Sequence, residues 1–251
     1  MRIVVTGAAG QIGSEIAQEL AQSHDLCLID RRVLAGRNLR IADLSRRRAT
    51  GRCLAWKSVR WSDWFKGADV VIHLAADPSP VAPWDRVLHH NIEATWCVCE
   101  AAAAHQVPRV VFASSNWAVK AVEMKLAPSC YQPAGPKIDS GTPPSPLTPY
   151  GLSKAFGELT GRMLVDEHKL KSFLAVRLGA YGAKPLPDAR ERALWIGIED
   201  TRRLFRRCVE AEFAGFHVVY GVSAQPAAPY DLSYTSRLLS WTPRQSAVHF
   251  D

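Results

Sequence analysis

No stretch of the chain holds enough consecutive apolar residues to cross a bilayer, and the amino-terminal MRIVVTGAAG has no basic-then-apolar signal pattern. Cysteine is sparse and scattered: Cys27, Cys53, Cys97, Cys99, Cys130 and Cys208 form no CxxC pair and show no metal-ligand spacing. Neither they nor the eight histidines are assigned a metal. There is no internal repeat and no low-complexity tail. These absences predict a soluble, cytoplasmic protein with reduced thiols and no membrane partner. Acidic residues are in the minority, 24 against 31 Lys and Arg, which leaves a net charge of +7 and makes anionic partners plausible.

A hydrophobic share of 47% over 251 residues, with eight tryptophans, suffices for a core without disulfide staples and excludes a largely disordered chain. Short apolar runs alternate with helical patterns. RIVVT (2–6), LCLID (26–30), DVVIHL (69–74), RVVFA (109–113) and 172–178 read as strands, whereas 87–105 and 150–168 read as helices. Such alternation predicts an α/β fold, a doubly wound parallel sheet of the Rossmann type. The core is expected over residues 1–180, with a small substrate-side lobe over 181–251 forming one compact unit with it. Residues 128–149 carry seven of the sixteen prolines and predict an ordered surface loop overhanging Tyr150. The Arg- and Trp-rich stretch 45–66 resists assignment.

Between the first strand and first helix lies Thr6-Gly7-Ala8-Ala9-Gly10-Gln11-Ile12-Gly13. Gly7 permits the tight turn, Gly10 allows backbone to approach a pyrophosphate, and Gly13 lets the helix close on the strand. Free N–H groups at the start of that helix, with Gln11 and Ile12 in its first turn, then face the phosphates. Asp30, at the end of the second strand, is placed to accept the adenosine ribose hydroxyls, which favours NAD. Arg31 and Arg32 follow directly and suit a 2′-phosphate, so NADP remains open.

Tyr150 and Lys154 are four apart on a helix and share a face. An ammonium beside the phenol is expected to lower its pKa, so that Tyr150 serves as general base toward a hydroxyl. Ser114, Ser115 and Asn116 follow a strand at the carboxyl edge, where ligands collect in open α/β sheets. A Ser115 hydroxyl there steadies the reacting oxygen.

TGAAGQIG, Asp30, His73-Leu74-Ala75-Ala76, Asn91, Ser114–Asn116 and YGLSK together resemble the extended short-chain dehydrogenase/reductase superfamily, over nearly the whole chain. FASSN (112–116), VRLG (176–179), the stretch around Arg192 and the ending SWTPRQSA resemble the bacterial uronate dehydrogenases. Those are short, NAD-dependent enzymes that oxidise the C1 hydroxyl of a hexuronate to a lactone. The resemblance implies Leu74, Ala75, Ala76, Asn91 and Lys154 at the cofactor, and the Asp43-Leu44 pair at its adenine. It implies Ser115 and Asn116 at the substrate oxygens and Arg192 on the sugar carboxylate. The chain departs from that pattern with Trp117 in place of His, Ala180 in place of Ser, and Pro78, flanked by Asp77 and Ser79, in place of Ser.

A dehydrogenase acting on a small sugar acid or related sugar hydroxyl is thus the expected activity. A nucleotide-sugar epimerase or dehydratase would need a larger C-terminal lobe, and a non-catalytic dinucleotide-binding protein would not need an intact Tyr/Lys pair. Basic clusters at 46–48, 202–203 and 206–207 lack the interleaved aromatics of a nucleic-acid reader, so no nucleic-acid partner is expected. Self-association into a homo-oligomer is.

Overall fold

The computed structural model describes residues 1–33, 38–45 and 60–250. Among the described residues nine strands run in chain order as β1 (Arg2–Thr6), β2 (Asp25–Asp30), β3 (Arg40–Ile41), β4 (Val70–His73), β5 (Arg109–Ser115), β6 (Ser172–Leu178), β7 (Ala180–Tyr181), β8 (Trp195–Ile196) and β9 (Gly215–Gly221). Seven of them form one sheet in the order β3-β2-β1-β4-β5-β6-β9, and β7 pairs with β8. Every pairing in the large sheet is parallel.

Both faces of this sheet are covered, as all-parallel sheets require. Side chains alternate along each strand, and β1 shows the result. Ile3 and Val5 join one core cluster with Ile16, Leu20, Leu204 and Phe205. Val4 joins the other with Phe65, Val98, Ala101 and Ala102. The first layer is built by α1 (Gln11–Leu20) and the later helix Ile198–Glu210, the second by the helical run 84–104.

That run differs from the single expected helix. It starts as α2 (Trp84–Val87), widens into a π segment (Leu88–Glu93) and continues as α3 (Ala94–Ala104). Within the widened turn Asn91 is buried. After β5 come α4 (Lys120–Leu126) and the proline-rich segment, which is irregular apart from a 3₁₀ turn at Ser129–Tyr131. It is tied down by a bridge between Ile138 and Tyr230 and by the Thr142 carbonyl, which accepts from Arg177 Nη1 at 2.9 Å. The segment delivers the chain to α5 (Pro149–Asp166), whose Thr148 N-cap accepts from the Gly151 N–H at 3.1 Å, with Pro149 in the first turn.

The stretch expected as a substrate-side lobe, residues 181–251, also contributes to the core sheet and its helix layer. Past α6 (Ala189–Leu194), the chain returns to the core: α7 (Ile198–Glu210) packs on α1, and β9 adds to β6. A final helix, α8 (Ser233–Leu239), lies against β9. The arginines of α7 are engaged within the chain. Arg202 pairs with Glu15 of α1, Arg206 with Glu19 at 3.0 Å, and Arg207 donates to the Leu239 carbonyl at 2.7 Å. Arg46–Arg48, Cys53 and most of the 45–66 stretch lie outside the described residues. Among the described residues no helix is long and apolar enough to cross a membrane, and no cluster of three His, Cys, Asp or Glu could hold a metal.

His73, at the end of β4, is 1% exposed and sits between the Thr6 hydroxyl (2.7 Å) and the Thr95 hydroxyl (3.0 Å). Burial, with a smaller push from the Lys154 charge, brings its pKa down to about 3. Below the ordinary imidazole value, protons therefore bind the unfolded chain preferentially, and stability falls from about pH 6.5 downward. Between pH 7.5 and 5 the wild type is expected to lose about 2 kcal/mol more unfolding free energy than His73→Gln, which does not titrate. Urea denaturation at the two pH values checks this; equal losses would refute it.

Candidate active site

The strand order reverses between β1 and β4, and the carboxyl ends of these strands open a cavity of about 650 Å³. Its construction begins with the glycine turn. Gly7 has φ +74°, and a Cβ there would lie 2.7 Å from the Ala75 nitrogen; one on Gly13 would lie 2.1 Å from the Gly7 carbonyl oxygen. Only bare backbone fits at both positions. Gly10 caps α1 without any side-chain bond to the helix N–H groups, so these remain available to an anion. A pyrophosphate cradle is thus built into the backbone, and the residues present fit a dinucleotide.

Asp30 is 6% exposed, and its carboxylate accepts from the Ala9 and Arg32 N–H groups, both at 2.9 Å. Each oxygen retains capacity for a further donor. Arg31 donates to His90 (2.8 Å), and Arg32 to the Ala9 carbonyl (2.8 Å). Gly7, Gly10, Gln11, Ile12, Gly13, Asp30, Asp43, Leu44, Leu74, Ala75 and Ala76 all line the cavity.

So do Ser115, Asn116, Trp117, Tyr150, Lys154 and Ala180, which brings the expected cofactor and substrate residues into one space. Ser115 ends β5; its hydroxyl donates to Asn116 Oδ1 (3.1 Å) and accepts from the Trp117 N–H (3.2 Å). Burial raises the Tyr150 phenol above its usual pKa, a hydrogen bond with Ser115 opposes this, and the Asp77 charge adds to it. The expected lowering by Lys154 is not what the geometry produces. The Lys154 ammonium donates to the Ala113 carbonyl at 2.8 Å, lies 5.6 Å from the Tyr150 ring centre, and is brought down to about 8 by burial.

Three expected contacts fall elsewhere. Asn91 is not in the cavity lining: its amide accepts from the Asp77 N–H (2.7 Å) and donates to the Asp77 carbonyl and Ser153, so it braces the wall from behind. Ser79 is turned away between Pro78 and Pro80, which do line the cavity, with its N–H on Asp77 Oδ1 at 3.0 Å. Arg192 donates to the Ala247 carbonyl (2.9 Å), and the cavity is faced instead by Arg190 and Glu191. Helical spacing carries a signal for this: Arg190 lies four residues before the apolar, cavity-lining Leu194, so the two share a face, whereas Arg192 does not. Arg86, ion-paired with Asp77, and His90 also line the cavity without a sequence signal of their own.

A glycine cradle at the switch point of a doubly wound sheet, with Ser, Tyr and Lys converging beside it, defines a dinucleotide-dependent oxidoreductase. The chain belongs to the NAD dependent epimerase/dehydratase family, whose profile matches residues 3–198. It is 33% identical to the NAD-dependent glucose-6-phosphate dehydrogenase of Haloferax volcanii, over 99% of this chain and 95% of that one. The L-arabinose 1-dehydrogenase (NAD(P)(+)) of the same organism is also 33% identical, over 98% of each chain. The crystal structure of uronate dehydrogenase from Agrobacterium tumefaciens superposes with a TM-score of 0.81 at 30% identity, covering 99% of this chain and 86% of that one.

The cradle makes a direct prediction. Gly13→Ala forces backbone apart at the Gly7 carbonyl and is expected to destabilise the fold by about 2 kcal/mol. It should also weaken NAD binding at least tenfold, read by fluorescence titration and thermal unfolding. An unchanged Kd would refute the assigned role.

Proposed function

We propose that the protein oxidises a hydroxyl of a small free sugar, with Tyr150 as general base and NAD as hydride acceptor. Tyr150 takes the hydroxyl proton as the C–H hydride leaves the same carbon, giving a carbonyl product and NADH. Ser115, hydrogen-bonded to Tyr150, steadies the reacting oxygen, and Asn116 fixes the Ser115 hydroxyl. Lys154, buried in the same wall with its ammonium on the Ala113 carbonyl, would hold the cofactor beside the phenol. The observation that carries this reading is the meeting of Tyr150, Ser115 and Lys154 in the same cavity as the glycine turn.

The similarity to three sugar dehydrogenases over nearly the whole chain supports it. Asp30, held by two backbone N–H groups, supports NAD over NADP. Cys27, Cys99, Cys130 and Cys208, free and buried thiols, support a reducing, cytoplasmic setting. Leu152 and Leu159, both exposed and seven residues apart on α5, support self-association through that helix.

Tyr150→Phe is expected to retain NAD affinity while lowering kcat about 10³-fold, and to lose the rise of kcat/KM with pH that reports the ionising phenol. Stoichiometric NADH formation with the wild type separates oxidation from epimerisation, which would leave no net NADH. A Phe variant turning over sugar at the wild-type rate would sink the mechanism.

A further inference from the structure

The similar enzymes are named for a sugar phosphate, a neutral aldose and a uronate, which differ chiefly in charge. The cavity wall made by Trp117, Arg190 and Glu191 bears on it directly. Behind that wall, α4 contributes Glu123, fully buried. Its Oε1 accepts from Arg190 Nε at 2.6 Å, from Lys120 Nζ at 2.7 Å and from the Tyr131 hydroxyl at 2.6 Å, and its Oε2 accepts from the Tyr230 hydroxyl at 3.0 Å. Burial alone would raise the Glu123 pKa, but the hydrogen bonds from Arg190, Lys120 and Tyr131 bring it down to about 2, so it stays ionised. Arg190 Nη1 donates in addition to Glu191 Oε1 at 2.5 Å.

Two cations, Lys120 and Arg190, thus meet two carboxylates, Glu123 and Glu191, and the cluster carries no net charge. Arg86, the other arginine beside Asp77 and Pro78, is ion-paired with Asp77. The strongest side-chain receptor for an incoming carboxylate or phosphate is a pair of parallel guanidinium N–H groups. On Arg190 the Nε–H is already given to a buried anion, and Glu191 stands at the cavity surface with charge of the same sign as such a ligand. A sugar hydroxyl meets no such obstacle: it donates to Glu191 and accepts from an N–H that Arg190 has left.

We propose that this end of the cavity is built for the uncharged, polyhydroxy end of an aldose, with Arg190 and Glu191 as its hydrogen-bonding pair and Glu123 as their positioning residue. The proposal rests on the sugar-dehydrogenase reading above. Its test is NADH formation by the full chain with L-arabinose, D-xylose and D-galactose against galacturonate, glucuronate and glucose 6-phosphate. The best neutral sugar is expected to exceed every anionic one at least tenfold in kcat/KM. A higher kcat/KM for any anionic sugar overturns this proposal alone, whereas no NADH from any sugar overturns the dehydrogenase reading and this proposal with it. Glu191→Gln, a change at a partly exposed side chain, removes the competing charge and turns its charge-assisted bond with Arg190 Nη1 into a weaker one. It should raise the galacturonate-to-galactose ratio of kcat/KM about tenfold, chiefly through KM. An unmoved ratio would refute the role given to the pair.

Discussion

A single buried ion pair fixes where the chemistry happens. Arg177 of β6 and Glu158 of α5 are 1% and 2% exposed, and they meet through Nε at 2.9 Å and Nη2 at 2.7 Å. Glu158 lies about two turns beyond Tyr150 on the same helix, and it also accepts from the Ser114 hydroxyl at 2.5 Å. One carboxylate therefore sets the helix bearing Tyr150 against the strand end bearing Ser115. Arg177 spends its remaining donors on Tyr220 and on the Thr142 carbonyl, which draws the proline-rich segment into the same network. Removing either partner of such a pair strands a charge and costs about 3–5 kcal/mol. Close packing assists: Cβ atoms on Gly157 and Gly161 would lie 2.3 Å from the rings of Phe112 and Phe173, so α5 rests on the sheet through bare backbone.

Charge is handled by local pairing throughout. The excess of basic residues, taken in bulk, suggests an anionic partner, yet on α7 Arg202 and Arg206 face glutamates of α1 and serve to join two helices of one layer. At the cavity, arginines at both ends are similarly engaged, by Asp77 and Glu123 on one side and by His90 and backbone on the other. Among the described residues, the row of N–H groups at the head of α1 stays open to an anion, a receptor made of peptide units rather than side chains.

The legible parts of this molecule in its sequence were those where chemistry and backbone geometry share a few consecutive residues. The glycine turn, Asp30 and the Tyr150/Lys154 pair belong to that kind, because strand, turn and helix around them are specified locally. Arg190 was misplaced by two residues, since the phase of a helix as short as α6 is set by where Leu194 is buried. The i,i+4 spacing of Tyr150 and Lys154 reports a shared face and says nothing of the Ala113 carbonyl, which comes from another element and takes the ammonium. Asn91 was drawn away from the cavity by the π segment, a local widening without an evident composition signal. The cluster around Glu123 joins α4 and nearby Tyr131 to Arg190 of α6, 67 residues on, and to Tyr230, 107 residues on, so no short window of sequence contains it.

The place of β9 has a consequence for how the molecule comes into being. β6 is interior to the finished sheet, with β5 on one edge and β9 on the other. β9 is not made until residues 215–221, well after every residue of the glycine turn, the Ser115 strand and the Tyr150 helix has been synthesised. A nascent chain that has completed those parts still carries an open apolar edge along β6, whose seven residues are all buried in the final structure. Pairing along this edge of β6 therefore waits for β9, and chaperone contact, or mispairing with another nascent copy, has its natural window in the interval between the emergence of β6 and that of β9.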